Sequence, residues 1–264
     1  MPNKAKEEDG DGQTGSHVRA RELFQWSRDE TRLLIAASAQ DRAKLKPHLE
    51  PVTMMPGDIL FDAGAPVDYI FFPQSGVVSL LTPMRDGKFV ECGTIGREGA
   101  AGLLTAFGAG RALNRAIVQI AGRALRIKTR HFKEVLDKSE SLQQIRNRYH
   151  EALLSQVLQT VACNTLHSVE QRFCRWLLIC RDRTGSDLVP LTQEALAEML
   201  GVQRTTVTAA ARSLQTRGLI RYRRGVIECV EVDGLHETSC ECYEAMRGVF
   251  ERLLPYTYKD PPGE

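Results

Sequence analysis

The 264-residue sequence predicts an α+β protein in three parts: an N-terminal β-roll, one long helix, and a C-terminal helical hairpin followed by a basic β-ribbon. Pro56-Gly57, Ala63-Gly64, Ser75-Gly76 and Asp86-Gly87 punctuate short apolar runs at roughly the 8–12-residue spacing of an all-β domain. From Ser141 to about Asn164 an apolar repeat in steps of three and four runs without Gly or Pro. Between Met199 and Ile227 there is no Asp or Glu, yet Arg204, Arg212, Arg217, Arg221, Arg223 and Arg224 all fall there.

The bulk composition narrows the class. Hydrophobic residues make up 42% and charged residues 26%, enough for an ordinary core. Net charge is only +2, so the arginine block is a local feature, of the kind that meets nucleic acid. No apolar run approaches the roughly 18 residues of a membrane span. The opening MPNKAKEEDGDGQTGS lacks the apolar stretch of a signal peptide. A cytoplasmic protein without membrane contact is expected, with residues 1–28 as a disordered polar tail. The seven cysteines are odd in number and read as free thiols rather than a disulfide framework.

Residues 29–138 read as a β-roll with flanking helices. A helical pattern over Asp29–Leu49 is marked by Leu33, Leu34, Leu45 and Leu49. Strands are expected at Ile59–Phe61, Tyr69–Phe72, Val77–Leu81, Lys88–Cys92, Arg115–Ile120 and Arg123–Ile127, with a hairpin turn at Arg85–Lys88. A short helix follows at Thr129–Leu136. Residues 139–166 form the long helix. Its Leu142, Ile145, Tyr149, Ala152, Gln156, Gln159, Cys163 and Leu166 make a coiled-coil-like seam, read as a dimer interface. The alternative is a core helix packed on its own β domain.

Residues 167–235 carry the functional motif. Ser168-Val-Glu-Gln171 is a capping box opening a helix with Phe173, Trp176, Leu177 and Cys180 on its apolar face. Gln193–Arg212 fits a helix-turn-helix. Thr192 caps the first helix, and Leu196, Ala197 and Leu200 face inward. Gly201 takes the left-handed turn position, Val202 plugs the turn, and Val207, Ala210 and Leu214 pack the second helix. Such a helix enters the major groove with its N-terminal end. Arg204, Thr205, Thr208 and Arg212 are the candidate base readers, Arg204 placed to make two hydrogen bonds to a guanine. Thr192, Gln203, Thr206, Arg223 and Arg224 are candidate phosphate contacts, the last two on the turn of a wing spanning Leu219–Ile227. Residues 236–264 read as a C-terminal amphipathic helix, Leu235–Leu254, and a tail.

A β-roll, a long helix and then LTQEALAEMLGVQRTTVT with GLIRYRRGVI resembles the Crp/Fnr family of bacterial transcription regulators, over roughly Leu45 to Leu235. GREGAAGL and HSVEQRFCRWLL resemble a subgroup without an established effector. The resemblance implies a cyclic-nucleotide-binding-like β-roll, a homodimer joined by the long helix, a palindromic double-stranded operator, and RNA polymerase as a further partner. The roll would sense a signal and the helix would relay it. Two departures stand out. Thr205 replaces the Glu that follows the reading Arg in familiar members, and Ala209 replaces a downstream Arg, so the operator is expected to differ. Gly99-Ala100-Ala101-Gly102-Leu103 lacks the ribose-binding Glu, so cAMP is not expected. Arg97, Glu98, Arg111 and Arg115 are candidate lining for another small ligand, against a pocket filled by Leu103, Leu104 and Phe107.

Other chemistry finds little support in the residue pattern. No Cys precedes Cys92, against a family-type iron–sulfur sensor. Cys240 and Cys242, read on one helix, point apart, so no metal site is expected. His167 and His236 read as helix-end residues, and Cys174 and Cys180 as packing, although a regulatory thiol stays open. There is no Ser/His/Asp set, carboxylate pair or phosphate loop, so neither catalytic residues nor an enzyme is expected. The competing reading is a ligand-sensing protein-interaction module without specific DNA binding.

Overall fold

A computed structural model describes residues 31–106, 110–254 and 257–258. The expected polar tail, the first two residues of the first helical pattern, and Phe107 lie outside them. Thr31 onward forms one compact unit.

Among the described residues two short helices come first, α1 (Arg32–Ile35) and α2 (Ala39–Leu45), in place of the single helix expected. The break arises because Ser38 caps α2, accepting from the Asp41 amide, while Arg42 Nη1 donates to the Ile35 and Ala37 carbonyls at the end of α1. The β-roll follows with β1 (Glu50–Met54), β2 (Ile59–Phe61), β3 (Tyr69–Pro73), β4 (Val77–Pro83), β5 (Phe89–Ile95), the short α3 (Leu103–Ala106), β6 (Arg115–Ile120) and β7 (Gly122–Lys128). Two antiparallel sheets result, ordered β1-β7-β3 and β2-β6-β4-β5. Strand β1 is absent from the sequence reading, since its Glu50-Pro-Val-Thr-Met54 is mostly exposed and does not alternate. Its register against β7, not its own pattern, makes it a strand.

Strand β6 alternates half-buried and buried residues, as a strand with one face to the core should. Val77–Leu81 of β4 is buried throughout. Its second face is covered by the C-terminal half, and Val77 joins the same apolar cluster as Phe173, Trp176 and Leu177.

After α4 (Thr129–Leu136), the long helix α5 runs Glu140–Leu166. Ser139 caps it, and Asp41 ties its start to α2 by accepting from the Ser139 and Ser141 hydroxyls at 2.8 and 2.6 Å. The expected seam faces the helix's own chain. Leu142, Ile145, Tyr149, Ala152, Gln156 and Cys163 are buried. Tyr149 Oη donates to the Ala100 carbonyl and Gln156 Nε2 to that of Thr94. Burying an unpaired amide would cost more than it gains, so Gln156 belongs against this polar backbone edge. A different stripe, Leu154, Leu158 and Val161, is 59–62% exposed, and Leu166, also expected in the seam, is 77% exposed.

The remaining elements are α6 (Val169–Thr184), β8 (Leu188–Pro190), α7 (Gln193–Leu200), α8 (Arg204–Thr216), β9 (Ile220–Arg223), β10 (Val226–Cys229), α9 (Val232–Thr238) and α10 (Cys242–Leu253). The capping box of Ser168 and Gln171 is formed as read. The one C-terminal helix expected over Leu235–Leu254 is two, α9 and α10, separated at Ser239–Glu241.

Helix α6 joins the halves. Its Arg183 forms a buried ion pair with Glu98 at 2.6 Å, their side chains 3% and 2% exposed. Arg183 Nη2 also donates to the Thr94 carbonyl, and Glu98 Oε1 accepts from the Gly96 amide. A Cβ at Gly96 would stand 2.4 Å from the Arg183 methylenes, so only glycine admits this approach. Nearby, buried Glu91 accepts from Ser79 Oγ at 2.6 Å. Burial pushes its pKa up to about 7, against the opposing pull of Ser79, Arg175 and Arg183.

Arg183→Met should cost about 3–5 kcal/mol in urea unfolding, because Glu98 stays buried without its partner. Adding Glu98→Leu should recover most of that loss. A double variant no more stable than the single would refute the charge explanation. Folded Glu91 holds its proton more tightly than an unfolded Glu near 4.5. Its contribution to stability is therefore complete below that value and is lost as pH rises through about 7. The wild-type Tm should fall relative to that of Glu91→Gln between about pH 5 and about pH 8. Parallel calorimetric profiles would contradict this.

Candidate nucleic-acid interface

The helix-turn-helix forms as its residues dictate. Thr192 accepts from the Ala195 amide to start α7, and Gly201 ends it at φ 64. Leu196, Leu200, Val207, Ala210 and Leu214 share one core with Phe173, Trp176 and Leu177 of α6, and Val202 packs against its edge. Buried Arg172 of α6 donates Nη2 to the Leu200 carbonyl, fixing the end of α7 where the turn begins.

Helix α8 presents Arg204, Thr205, Thr206, Ala209 and Arg212 to solvent. Gln203 is its N-cap and makes no side-chain capping bond, so the helix opens toward solvent with its positive dipole end unblocked. Thr208 is half-buried, and its hydroxyl lies 2.9 Å from both Gln193 Oε1 and the Arg204 carbonyl. Of the four expected base readers, it is the one whose hydroxyl is already engaged within the protein.

Strands β9 and β10 form the wing, with Arg223 opposite Val226 in register. Arg224 and Gly225 occupy the turn at φ 49 and 79, the two positive values of a type I′ hairpin. Arg223 and Arg224 are exposed. Tyr222 anchors the wing, its amide donating to Gln215 Oε1 of α8 and its hydroxyl to the Leu191 carbonyl. The third strand, β8, pairs with β10 and is too short, at three residues, to show in the sequence pattern.

The block that is free of acids in sequence is not free of them in space. Arg204 meets Glu194 at 2.7 Å, Arg217 meets Glu170 at 2.7 Å, and Arg221 meets Glu228 at 2.6 Å. These pairs are solvent-exposed to half-exposed, and such pairs are worth about 0.2–1 kcal/mol, little enough for an incoming phosphate or base edge to displace. Arg212, Arg223 and Arg224 complete the exposed basic face.

The four residues expected to line a ligand pocket do not converge. Glu98 is taken by Arg183. Arg115 makes a two-pronged pair with Asp62, 3.0 and 2.7 Å, and lies over the Phe89 ring. Arg111 Nη1 donates to the Gly64 carbonyl, and the Arg97 carbonyl accepts from the Arg32 amide. The side chains of Glu98, Arg111 and Arg115 thus each meet a partner within the protein. Within the Gly99–Leu103 segment, which lacks the ribose-binding Glu, Ala101 exchanges both backbone hydrogen bonds with Phe71. Leu103 is buried, but Leu104 is exposed rather than filling a pocket. Two clefts lie instead where the roll meets the helix-turn-helix. One, of about 360 Å³, is lined by Arg115, Thr192, Ala195 and Glu198. The other, of about 990 Å³, lies between the β4–β5 hairpin and the α7–α8 turn.

Sequence reasoning missed the partners of the junction, Arg183 above all. Its signal was present: an arginine in the last turn of a helix whose neighbouring face is otherwise apolar.

A family model for a cyclic nucleotide-binding domain matches residues 51–139, and one for a Crp-like helix-turn-helix domain matches residues 171–238. The fold is shared with solved structures. A Crp/Fnr-family transcriptional regulator from Eubacterium rectale has 16% identity and a TM-score of 0.62, covering 78% of this chain and 96% of that one. FixK2 from Bradyrhizobium japonicum has 14% identity and a TM-score of 0.63, over 73% and 98%. A Crp/Fnr-family regulator from Thermus thermophilus has 21% identity and a TM-score of 0.58, over 72% and 98%. No curated protein matches the chain.

Proposed function

Carrying both domains in this order, the chain belongs to the Crp/Fnr family of transcription regulators, and from that premise we propose that it is a dimeric, sequence-specific DNA-binding protein reading a two-fold symmetric operator. The observation that carries this reading is α8: a helix whose solvent face is basic and hydroxylated, whose N-terminus is uncapped, and whose flanking wing ends in two exposed arginines. Arg204 reads a base, Thr205 and Arg212 flank it, and Thr206, Gln203, Thr192, Arg223 and Arg224 hold phosphate. Thr208 positions α8 through Gln193 and contributes its exposed edge. The replaced Glu at Thr205 leaves no acceptor for a cytosine amine, so the operator differs there from the family's best-known sites.

Dimerisation is assigned to Leu154, Leu158 and Val161, the stripe of α5 that points away from its own chain. An exposed apolar row on a long helix is costly alone and suits a two-fold copy of itself. A signal at the roll reaches the reading helix through the clefts beside Thr192 and Gln203, where the β-sheet and α7 meet. RNA polymerase is the partner through which a bound dimer acts on transcription.

Site selection from random duplexes tests this. An inverted repeat should be enriched, and Arg204→Ala should lose about 1–3 kcal/mol of discrimination at one base pair per half-site. Arg223→Ala with Arg224→Ala should weaken all sequences alike and lower the salt slope by about 2 per wing. Absence of any enriched site together with salt-independent binding would favour a protein-interaction module instead. Leu158→Glu should shift the protein from dimer to monomer in sedimentation. An unchanged dimer would move the interface elsewhere.

A further inference from the structure

Three cysteines form a small buried cluster apart from the main core: Cys163, Cys240 and Cys242. They come from distant parts of the chain. Cys163 is in the last turn of α5, and His167 follows one turn later as its C-cap. Cys240 and Cys242 flank the break between α9 and α10, which turns both side chains to the same place. That break undoes the expectation that two cysteines one residue apart must diverge. The Sγ atoms and a His167 ring nitrogen all lie within 4.8 Å of one another. Cys163 Sγ is 3.5 Å from Cys240 Sγ, and Cys242 Sγ is 3.5 Å from His167 Nδ1.

We propose that Cys163, His167, Cys240 and Cys242 form a mononuclear Cys3His site for a thiophilic divalent cation of the zinc type. The donor set is that of structural zinc, and thiolates on one tetrahedral ion at about 2.3 Å stand roughly 3.8 Å apart, close to the spacing here. A four-iron cluster would need its ligands farther apart. The surroundings fit as well. His167 turns Nδ1 to the cysteines, while its Nε2 lies 3.1 Å from the Glu241 carboxylate, the carboxylate–histidine pairing that orients metal-binding imidazoles. Gln159 Nε2 donates to Cys242 Sγ at 3.0 Å, the kind of hydrogen bond that steadies a bound thiolate. Three thiolates and a neutral imidazole around a dication leave one negative charge. Buried Arg175 lies within electrostatic reach of Cys163 and Cys240 to offset it.

The site's place gives it a purpose. It fastens the end of α5 to the segment that closes the DNA-binding half, with the α5–α6 joint at His167-Ser168 held between them. The proposal stands on this geometry and not on the DNA-binding reading.

The test uses full-length reduced protein, stripped with a chelator and titrated with Co2+ at neutral pH. Expected are one equivalent per chain, tetrahedral ligand-field bands with thiolate-to-cobalt charge transfer, bleaching by Zn2+, and a higher Tm on loading. Glu241→Gln should fold normally and bind cobalt ten- to a hundredfold more weakly. Cys240→Ser with Cys242→Ser should abolish the charge-transfer bands. Several results would overturn the site: a folded chain that takes up no cobalt, an octahedral spectrum, or the double serine variant binding as tightly as wild type. So would protein isolated without oxygen that carries iron and sulfide, or a Cys163–Cys240 disulfide in place of metal.

Discussion

The ion pair of Glu98 and Arg183 sits where the β-roll meets α6, and the arrangement of both halves depends on it. Two charges out of water are tolerable only when they face one another, and the more so as their remaining polar atoms are served. Here the Gly96 amide and the Thr94 carbonyl serve the two atoms that face one another, Glu98 Oε1 and Arg183 Nη2, while Glu98 Oε2 and Arg183 Nε and Nη1 stay buried without a hydrogen-bond partner among the described residues, so the pair depends on the attraction between its own charges. The sequence around Gly96 follows from this. A side chain there would collide with Arg183, and Glu98 must lie two residues on to reach it. The same segment then carries Ala100, whose carbonyl receives Tyr149 of α5. One short loop of the roll therefore touches both helices that lead to the DNA-binding half, and GREGA is explained by docking rather than by nucleotide binding.

Electrostatics read along a chain and electrostatics in space are different quantities. The arginine block contains no acid, yet Glu194, Glu170 and Glu228 approach it from neighbouring elements. This redistributes the work. Arg217 and Arg221 brace the domain, Arg204 is held loosely by Glu194 at the exposed start of α8, and Arg212, Arg223 and Arg224 supply the open positive field. A partly self-neutralised surface also limits indiscriminate attraction to polyanions.

What was legible in the sequence was local. Ser168 with Gln171, Thr192, Gly201 and the basic wing turn are each decided by neighbours within a few residues, and each forms as read. What was not legible depended on distant partners. Strands β1 and β8 exist by pairing, not by pattern. The periodicity of α5 identified a buried face but could not say whether its partner was another chain or its own roll, and the Thr94 and Ala100 carbonyls decide that. Two of the arginines assigned to a ligand had an unseen carbonyl or acid nearby, Gly64 for Arg111 and Asp62 for Arg115. The convergence of Cys163 with Cys240 needed a helix break at Ser239–Glu241 that no Gly or Pro announces. The pairing of Cys163 with His167, one helical turn apart, was the available clue.

The long helix has a mechanical consequence. Its 27 residues make a rod of about 40 Å, gripped by the roll near Tyr149 and carrying the DNA-binding half at its far end. From Tyr149 to Leu166 the arm is about 26 Å, so a pivot of about 8° at the grip would sweep the far end through about 3.5 Å, close to the roughly 3.4 Å rise of one base pair. In a symmetric pair of such levers the two sweeps add or cancel according to their sense. In the proposed dimer, a small pivot within the grip of the roll would thus change the spacing of the two α8 helices by a distance on the order of one step of the double helix.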